Sequence, residues 1–243
     1  MTPTASAGYG GGNAILDRLP ESELAALTPH LTLYVEEESI AVRMREQAFD
    51  SVLFPIDAIY SVVAELSRDS YEVGVIGRDG VVGAEVLLGA NVAPRSVVCQ
   101  GGGHAVKMPI EPFRHALDRS AMFLASVRES LRRQWFVSQQ TVACNFAHSV
   151  PQRAARWILM SRDAIGRDEF PLRVEFFSMM LGIPEAELRA LTGPLQNTLN
   201  VSYDGTNLVI PNRATLLEHV CECYRLQQMS PFVTAPAEKR SSA

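Results

Sequence analysis

Long apolar runs are missing from this chain of 243 residues. A helix that crosses a membrane needs about 20 consecutive apolar residues. The greasiest stretch, Ser51 to Leu66, is interrupted by Asp57 and Glu65, so a soluble, cytoplasmic protein is expected. Basic residues are absent from Met1 to Gly12, as is any apolar block. No secretory signal is expected there, and the Gly, Ser and Thr content predicts a loose tail. Cysteine is sparse, with Cys99, Cys144, Cys221 and Cys223 too scattered to imply a disulfide framework. Gly-x-Ser-x-Gly, a phosphate-loop lysine motif and His-Glu-x-x-His do not occur, and no enzymatic activity is expected. Positive charge is short as well: 22 Lys and Arg against 27 Asp and Glu leave a net charge of −5. That total supplies no bulk attraction to nucleic acid or to an anionic membrane, so nucleic-acid binding would require a local cluster.

What is present describes an ordinary globular chain, 47% hydrophobic and 20% charged, long enough for two domains with cores of their own. Asn13 to His30 reads as two short helices joined at Pro20. From Leu31 the texture changes to alternation, through Leu33 and Val35 and again up to Met44. Ser51 to Ala64 reads as two strands about a turn at Pro55 to Asp57, and Tyr71–Ile76, Ser96–Cys99 and Ala105–Pro109 add more. Short strands so closely spaced predict an all-β roll or barrel.

Among those strands lie Gly77, Gly80 and Gly83, then a short apolar turn and Arg95-Ser96. Two readings stand. The glycines could simply turn corners, with Arg95 solvated. Alternatively, a short helix starting near Gly83 would aim backbone N–H groups at a phosphate, with Arg95 and Ser96 clamping it and Glu85 accepting from a sugar hydroxyl.

Helical periodicity returns at Glu111, and a long helix follows from Ala121. Its apolar residues Leu124, Val127, Leu131, Trp135, Val142 and Phe146 form a stripe that needs a partner, either its own domain or a second copy. Ser149 and Pro151 begin a second helix that carries Arg153, Arg156 and Arg162 and stops at Gly166. Leu172–Leu181, the turn Leu181-Gly182-Ile183 and a helix opening at Pro184 then precede a hairpin around Asp204-Gly205. Two helices about a glycine turn followed by a β wing is the winged helix-turn-helix pattern.

Taken together, the residues resemble the Crp/Fnr family of bacterial transcription regulators over nearly the whole chain after the first dozen positions. The resemblance rests on Phe54-Pro55 leading to Ser61-Val62-Val63-Ala64, on Glu72-Val73-Gly74-Val75-Ile76-Gly77-Arg78-Asp79-Gly80 with Val82-Gly83, and on His148-Ser149-Val150 with Arg153 and Ala155-Arg156-Trp157. Met179-Met180-Leu181-Gly182 and Cys221-Glu222-Cys223-Tyr224 complete it. It implies an α+β protein: an N-terminal jelly-roll of the cyclic-nucleotide-binding type over 13–119, a dimerisation helix over 120–147 and a winged helix-turn-helix over 148–226. Tails are expected at 1–12 and 227–243. It further implies a homodimer through Leu124, Val127, Leu131, Trp135 and Val142, double-stranded DNA as ligand, RNA polymerase as a further partner, and no membrane association.

The departures from the family pattern are equally specific. Arg173, Arg189, Thr192 and Gln196 are available for DNA, but the reading helix opens on Glu185 and Glu187, which repel phosphate although Glu can accept from cytosine. Gly193-Pro194 predicts a kink or an end in that helix. From Val174 to Asn212 only Arg189 is basic, against Glu175, Glu185, Glu187 and Asp204. Two hypotheses follow: a DNA-binding regulator of altered specificity, or a degenerate relative acting through protein contacts. In cyclic-AMP-binding relatives Gly-Glu-Leu and Arg-Ser hold ribose and phosphate; here Arg95-Ser96 matches, but Ala84 follows Gly83 and Glu85 stands one place late, so a cyclic nucleotide is not the favoured effector. No iron–sulfur cluster is expected, since oxygen-sensing relatives place cysteines near the N-terminus and none precedes Cys99. His219, Cys221 and Cys223 suggest zinc, but on one helix Cys221 would point away from the other two, so no metal is expected. His104 and His115 are expected at the surface.

Overall fold

The period-two alternation between Leu31 and Pro109 folds into two antiparallel sheets in the computed structural model, which describes residues 9–38, 41–67 and 69–228. Helices α1 (Ala14–Asp17) and α2 (Glu21–Leu27) lead into strands β1 (Thr32–Glu36), β2 (Ala41–Arg43), β3 (Ser51–Pro55), β4 (Ile59–Glu65) and β5 (Ser70–Ile76). A 3-10 helix, Ala84–Leu88, precedes β6 (Ser96–Gly101) and β7 (Gly103–Pro109). The sheets run β1-β7-β3 and β2-β6-β4-β5, the jelly-roll arrangement expected. Apolar residues of both inner faces meet between them, with Val52, Phe54, Tyr60, Ala105 and Met108 fully enclosed.

Helix α3 (Ile110–Arg119) closes one end of the roll, and α4 (Ala121–Ala147) starts where Ser120 caps it by accepting from the Phe123 N–H at 2.9 Å. Phe54, Phe113 and Phe123 pack with ring centroids 5.7 to 6.4 Å apart, which ties α3 and the first turn of α4 to the roll. Along α4 the buried residues are Phe123, Val127, Ser130, Val137, Thr141 and Cys144, a heptad-like stripe facing the protein's own core. This corrects the expected seam. Val127 is wholly enclosed, Leu124 and Leu131 are half-buried against the roll core, and only Trp135 and Val142, with Phe146, stand exposed. These three lie on a different face, about 130° round the helix from the middle of the buried stripe.

Helix α5 (Val150–Ile165) begins after Ser149 with Pro151 in its first turn and ends at Gly166 in the left-handed region, as predicted, and Gln152 adds a capping box with Ser149. Strand β8 (Glu169–Pro171), α6 (Val174–Leu181), α7 (Glu185–Leu199), β9 (Ser202–Tyr203), β10 (Asn207–Val209), α8 (Arg213–His219) and α9 (Glu222–Gln228) follow. The wing is three-stranded, β8-β10-β9, because Glu169–Pro171, to which the sequence assigned no element, forms a strand. Of the kink or end predicted at Gly193-Pro194, the end does not occur: α7 continues to Leu199 with Pro194 inside it. Leu188, Leu195 and Leu199 are buried on one side of it, and that packing outweighs a proline penalty of about 3 kcal/mol.

The two halves share a core. Ile59 of the roll is buried within the cluster formed by Ala155, Ile158, Phe177 and Leu181. At the end of β5 the chain passes so close to α5 that a Cβ on Gly77 would lie 2.4 Å from Ala164 Cβ. Arg78 N donates to Ala164 O at 3.2 Å, and Ala14 N donates to Arg78 O at 2.8 Å. Asp79 pairs with Arg133 of α4, and Gly80 O accepts from Asn13 Nδ2 at 3.1 Å. Ile76 to Gly80 is therefore a junction of α1, α4 and α5.

The tails expected at 1–12 and 227–243 fall largely outside the described residues. Within them, Tyr9 Oη donates to Asp17 at 2.6 Å and Gly12 N also donates to Asp17, so residues 9–12 are tied down instead of loose, while Gln227 and Gln228 complete α9.

Gly77→Ala should lower stability by about 2–3 kcal/mol, because the backbone of α5 leaves no room for a methyl group. Gly193→Ala, with nothing within 4 Å of its Cβ, should be neutral or stabilising. Thermal melts of the two variants check this, and equal effects would contradict it.

Candidate functional site

A groove of about 1110 Å³ runs between the roll and α4, lined by Val62, Val73, Glu85, Leu87, Arg95, Arg128, Leu131, Trp135 and Val142 among others. Two of the four expected effector residues, Glu85 and Arg95, are brought together there. Burial raises the Glu85 carboxyl above its ordinary range, with Arg43 acting in the opposite direction. Gly83 and Ser96 do not line the groove. Gly83 has φ +93°, and a Cβ there would meet Val52 at 3.1 Å and Phe49 at 3.5 Å, so it serves as a turn glycine. The Ser96 hydroxyl is turned aside, donating to Glu65 at 2.7 Å and accepting from Arg45 N at 3.0 Å. His104 and His115 lie at the surface, as expected.

Helices α6 and α7 meet at Gly182, with φ +61°, in a helix-turn-helix beside the wing. The residues expected to face DNA are placed as follows. Arg189 donates to Glu185 through Nε at 3.0 Å and Nη2 at 2.5 Å, one turn away on α7. Arg173, at the start of α6, pairs with Glu175 at 3.4 Å. Thr192 donates to Leu188 O at 3.0 Å, and Gln196 Oε1 accepts from Tyr203 N at 2.9 Å, bracing the wing. Glu187 is exposed. Asp204 turns the wing by accepting from Thr206 N and Asn207 N at 2.8 and 2.7 Å. Both arginines of the reading module are thus already matched with carboxylates.

The arginines of α5 have structural work. Arg153 donates to Leu181 O at 2.7 Å at the end of α6, and Arg162 pairs with Asp168 at 2.7 Å. Arg156 is fully enclosed, donating to Thr141 Oγ1 at 2.9 Å and stacking 5.0 Å from the Trp157 ring centroid. With its amide turned, Gln227 also accepts from Arg156. Near it, Glu72 is buried in contact with Ser61, which donates to Gln100 at 2.9 Å.

Sequence reasoning missed a second grouping. Cys144, His148, Cys221 and Cys223 converge, with ligand atoms all within 4.8 Å of one another. The expectation that Cys221 points away from a metal assumed one continuous helix. In the structure α8 ends at His219, α9 begins at Glu222, and Cys221 lies in the break, free to face the same way as Cys223. His219 is not part of the group, whose other members come from the end of α4. The Cys144 thiol is held below its ordinary range, chiefly by the hydrogen bond with Cys221 and with help from Arg156. The Cys-Glu-Cys spacing was the available signal, but nothing local links it to residues some 75 positions earlier.

Jelly-roll, long helix and winged helix-turn-helix in this order and packing define the Crp/Fnr-type fold. The sequence matches no family model and no curated protein. Solved structures similar to it include FixK2 from Bradyrhizobium japonicum, at 11% identity and TM-score 0.65 over 79% of this chain and 98% of that one. A CRP-family transcriptional regulator from Thermus thermophilus aligns at 14% identity and TM-score 0.63 over 76% and 95%. CLP from Xanthomonas campestris, described as a c-di-GMP responsive global regulator, aligns at 12% identity and TM-score 0.62 over 79% and 100%. What is shared at these identities is the fold.

Burial raises the Glu72 carboxyl from 4.5 to about 8, against the lowering influence of Ser61 and Arg156. Its folded pKa exceeds its unfolded one, so stability present below about pH 4.5 is lost as pH rises towards 8. Glu72→Gln should flatten this decline and stand about 1–3 kcal/mol above the unsubstituted protein at the alkaline end. Urea titrations across the window check it, and an equally steep decline in the variant would contradict it.

Proposed function

We propose that this chain is a homodimeric DNA-binding transcriptional regulator of the Crp/Fnr type. Residues 13–119 form its sensor, 120–147 its dimerising helix and 148–226 its reader. The observation that carries this reading is the α6–α7 helix-turn-helix with its wing, packed on the roll at the end of a helix that exposes large apolar side chains. Trp135, Val142 and Phe146 expose 64%, 60% and 91% of their surface, an arrangement that a second copy of α4 would cover. Since Leu131, Trp135 and Val142 also line the groove, the same partner helix would close the effector site.

The groove offers Arg95 and Arg128 opposite an apolar wall, which suits an anion with an apolar or ring-containing body. Cyclic AMP is disfavoured because Ser96 is engaged by Glu65 and Glu85 is desolvated. On the duplex, α7 enters the major groove, with RNA polymerase as a further partner of the bound dimer. The Arg189–Glu185 pair restrains the grip on phosphate, so affinity rests on fewer backbone contacts than an arginine-rich reader makes.

Selection of the purified protein on a randomised duplex pool at low salt tests the reading. Retained sequences should enrich an inverted repeat with half-sites about 10 base pairs apart. Glu185→Gln, which releases Arg189, should tighten binding about three- to tenfold. No retention at low salt would overturn the DNA-binding reading in favour of a relative that acts through protein contacts.

A further inference from the structure

We propose that Cys144, His148, Cys221 and Cys223 form a structural zinc site that staples the end of α4 and the joint before α5 to α9. The inference stands independently of the DNA-binding reading. Zinc bound at about 2.3 Å to sulfur and 2.0–2.1 Å to nitrogen in a tetrahedron sets sulfur pairs about 3.8 Å apart and sulfur–nitrogen pairs about 3.6 Å apart. Cys144 and Cys221 sulfurs are separated by 3.6 Å, and Cys223 Sγ lies 3.6 Å from His148 Nδ1. These spacings already match the edges of a metal tetrahedron, and the sulfur pair is far beyond a disulfide bond length of about 2.05 Å. Three thiolates and one imidazole are soft donors that select zinc over oxygen-seeking cations such as magnesium or calcium.

The surroundings are those of a metal centre. The three cysteines are buried, at 0, 3 and 2% exposure, so they do not present a reactive thiol surface. His148 turns Nδ1 inward while Nε2 meets Glu222 Oε2 at 3.1 Å, the carboxylate–histidine arrangement that fixes the tautomer of a ligating imidazole. Gln140 Nε2 donates to Cys223 Sγ at 3.1 Å, as an N–H to a coordinated thiolate does.

Charge supplies an independent indication. Three thiolates around zinc leave one surplus negative charge, which a dry site must balance. Arg156 is fully buried, faces the cysteine sulfurs, and has no carboxylate within salt-bridge distance among the described residues. Its Nη1 has no hydrogen-bond partner. A buried guanidinium without a counter-charge is costly, whereas beside an anionic zinc–thiolate centre it is compensated. The site joins segments from one end of the reader to the other across the two-residue joint His148-Ser149, so metal occupancy would set the rigidity of that joint.

The test is metal analysis of the full chain purified air-free and without chelator, followed by zinc affinity from chelator competition. The expected result is one zinc per chain, and a cobalt-substituted protein with the visible bands of a tetrahedral, thiolate-rich centre. Glu222→Gln touches no buried packing and should weaken zinc binding about tenfold or more, while Cys223→Ser should abolish tight binding. Absence of bound metal after zinc addition, iron with sulfide in place of zinc, a Cys144–Cys221 disulfide, or wild-type zinc affinity in Glu222→Gln would each overturn the proposal.

Discussion

Gly77 lies against Ala164 with no room for a side chain between them, and the placement of the reader depends on that approach. The contact lets Arg78 N reach the end of α5 and lets Asp79 reach α4, so one short loop fixes the angle between roll, long helix and reader. Ile59 then enters the reader's core and Glu72 is carried into the interface, where burial pushes its proton affinity up. A motif that reads in sequence as a phosphate-turn candidate is, at Gly77 and Gly80, a packing device.

Much of this was legible in the sequence because it is written in local signals. Alternation marked the strands, Ser149 and Pro151 marked the start of α5, and Gly166 and Gly182 marked its end and the turn. What was not legible depends on partners far along the chain. Helix α4 carries apolar residues on two different faces, and nothing local says that Val127 faces inward while Trp135 and Val142 face out. Pro194 could not announce that Leu188, Leu195 and Leu199 keep α7 helical past it. The side chain of Ser96 looked available until Glu65, 31 residues earlier, was seen to claim it. The cysteine group needed both the break at Cys221 and the arrival of α4.

Electrostatics separates scaffold from function here. The buried ionisable groups, Arg156 and Glu72, organise the interior, whereas the two arginines of the α6–α7 module are held by carboxylates, Arg189 by Glu185 and Arg173 by Glu175. Exposed pairs of this kind add about 0–1 kcal/mol to stability, so their main consequence is for what approaches the surface. A phosphate backbone meets a face whose arginines are paired and where Glu187 and Asp204 stand exposed, so discrimination has to come from base edges and shape more than from bulk attraction.

The most direct test of this account is the salt dependence of duplex binding by the intact protein on a selected site. The slope of log affinity against log salt counts the phosphates neutralised, at about −0.9 per contact. A neutralised reader predicts a slope of about −4 or shallower. A slope of about −6 or steeper, as an arginine-rich interface gives, would show that the carboxylate pairs do not restrain the arginines and would contradict the account.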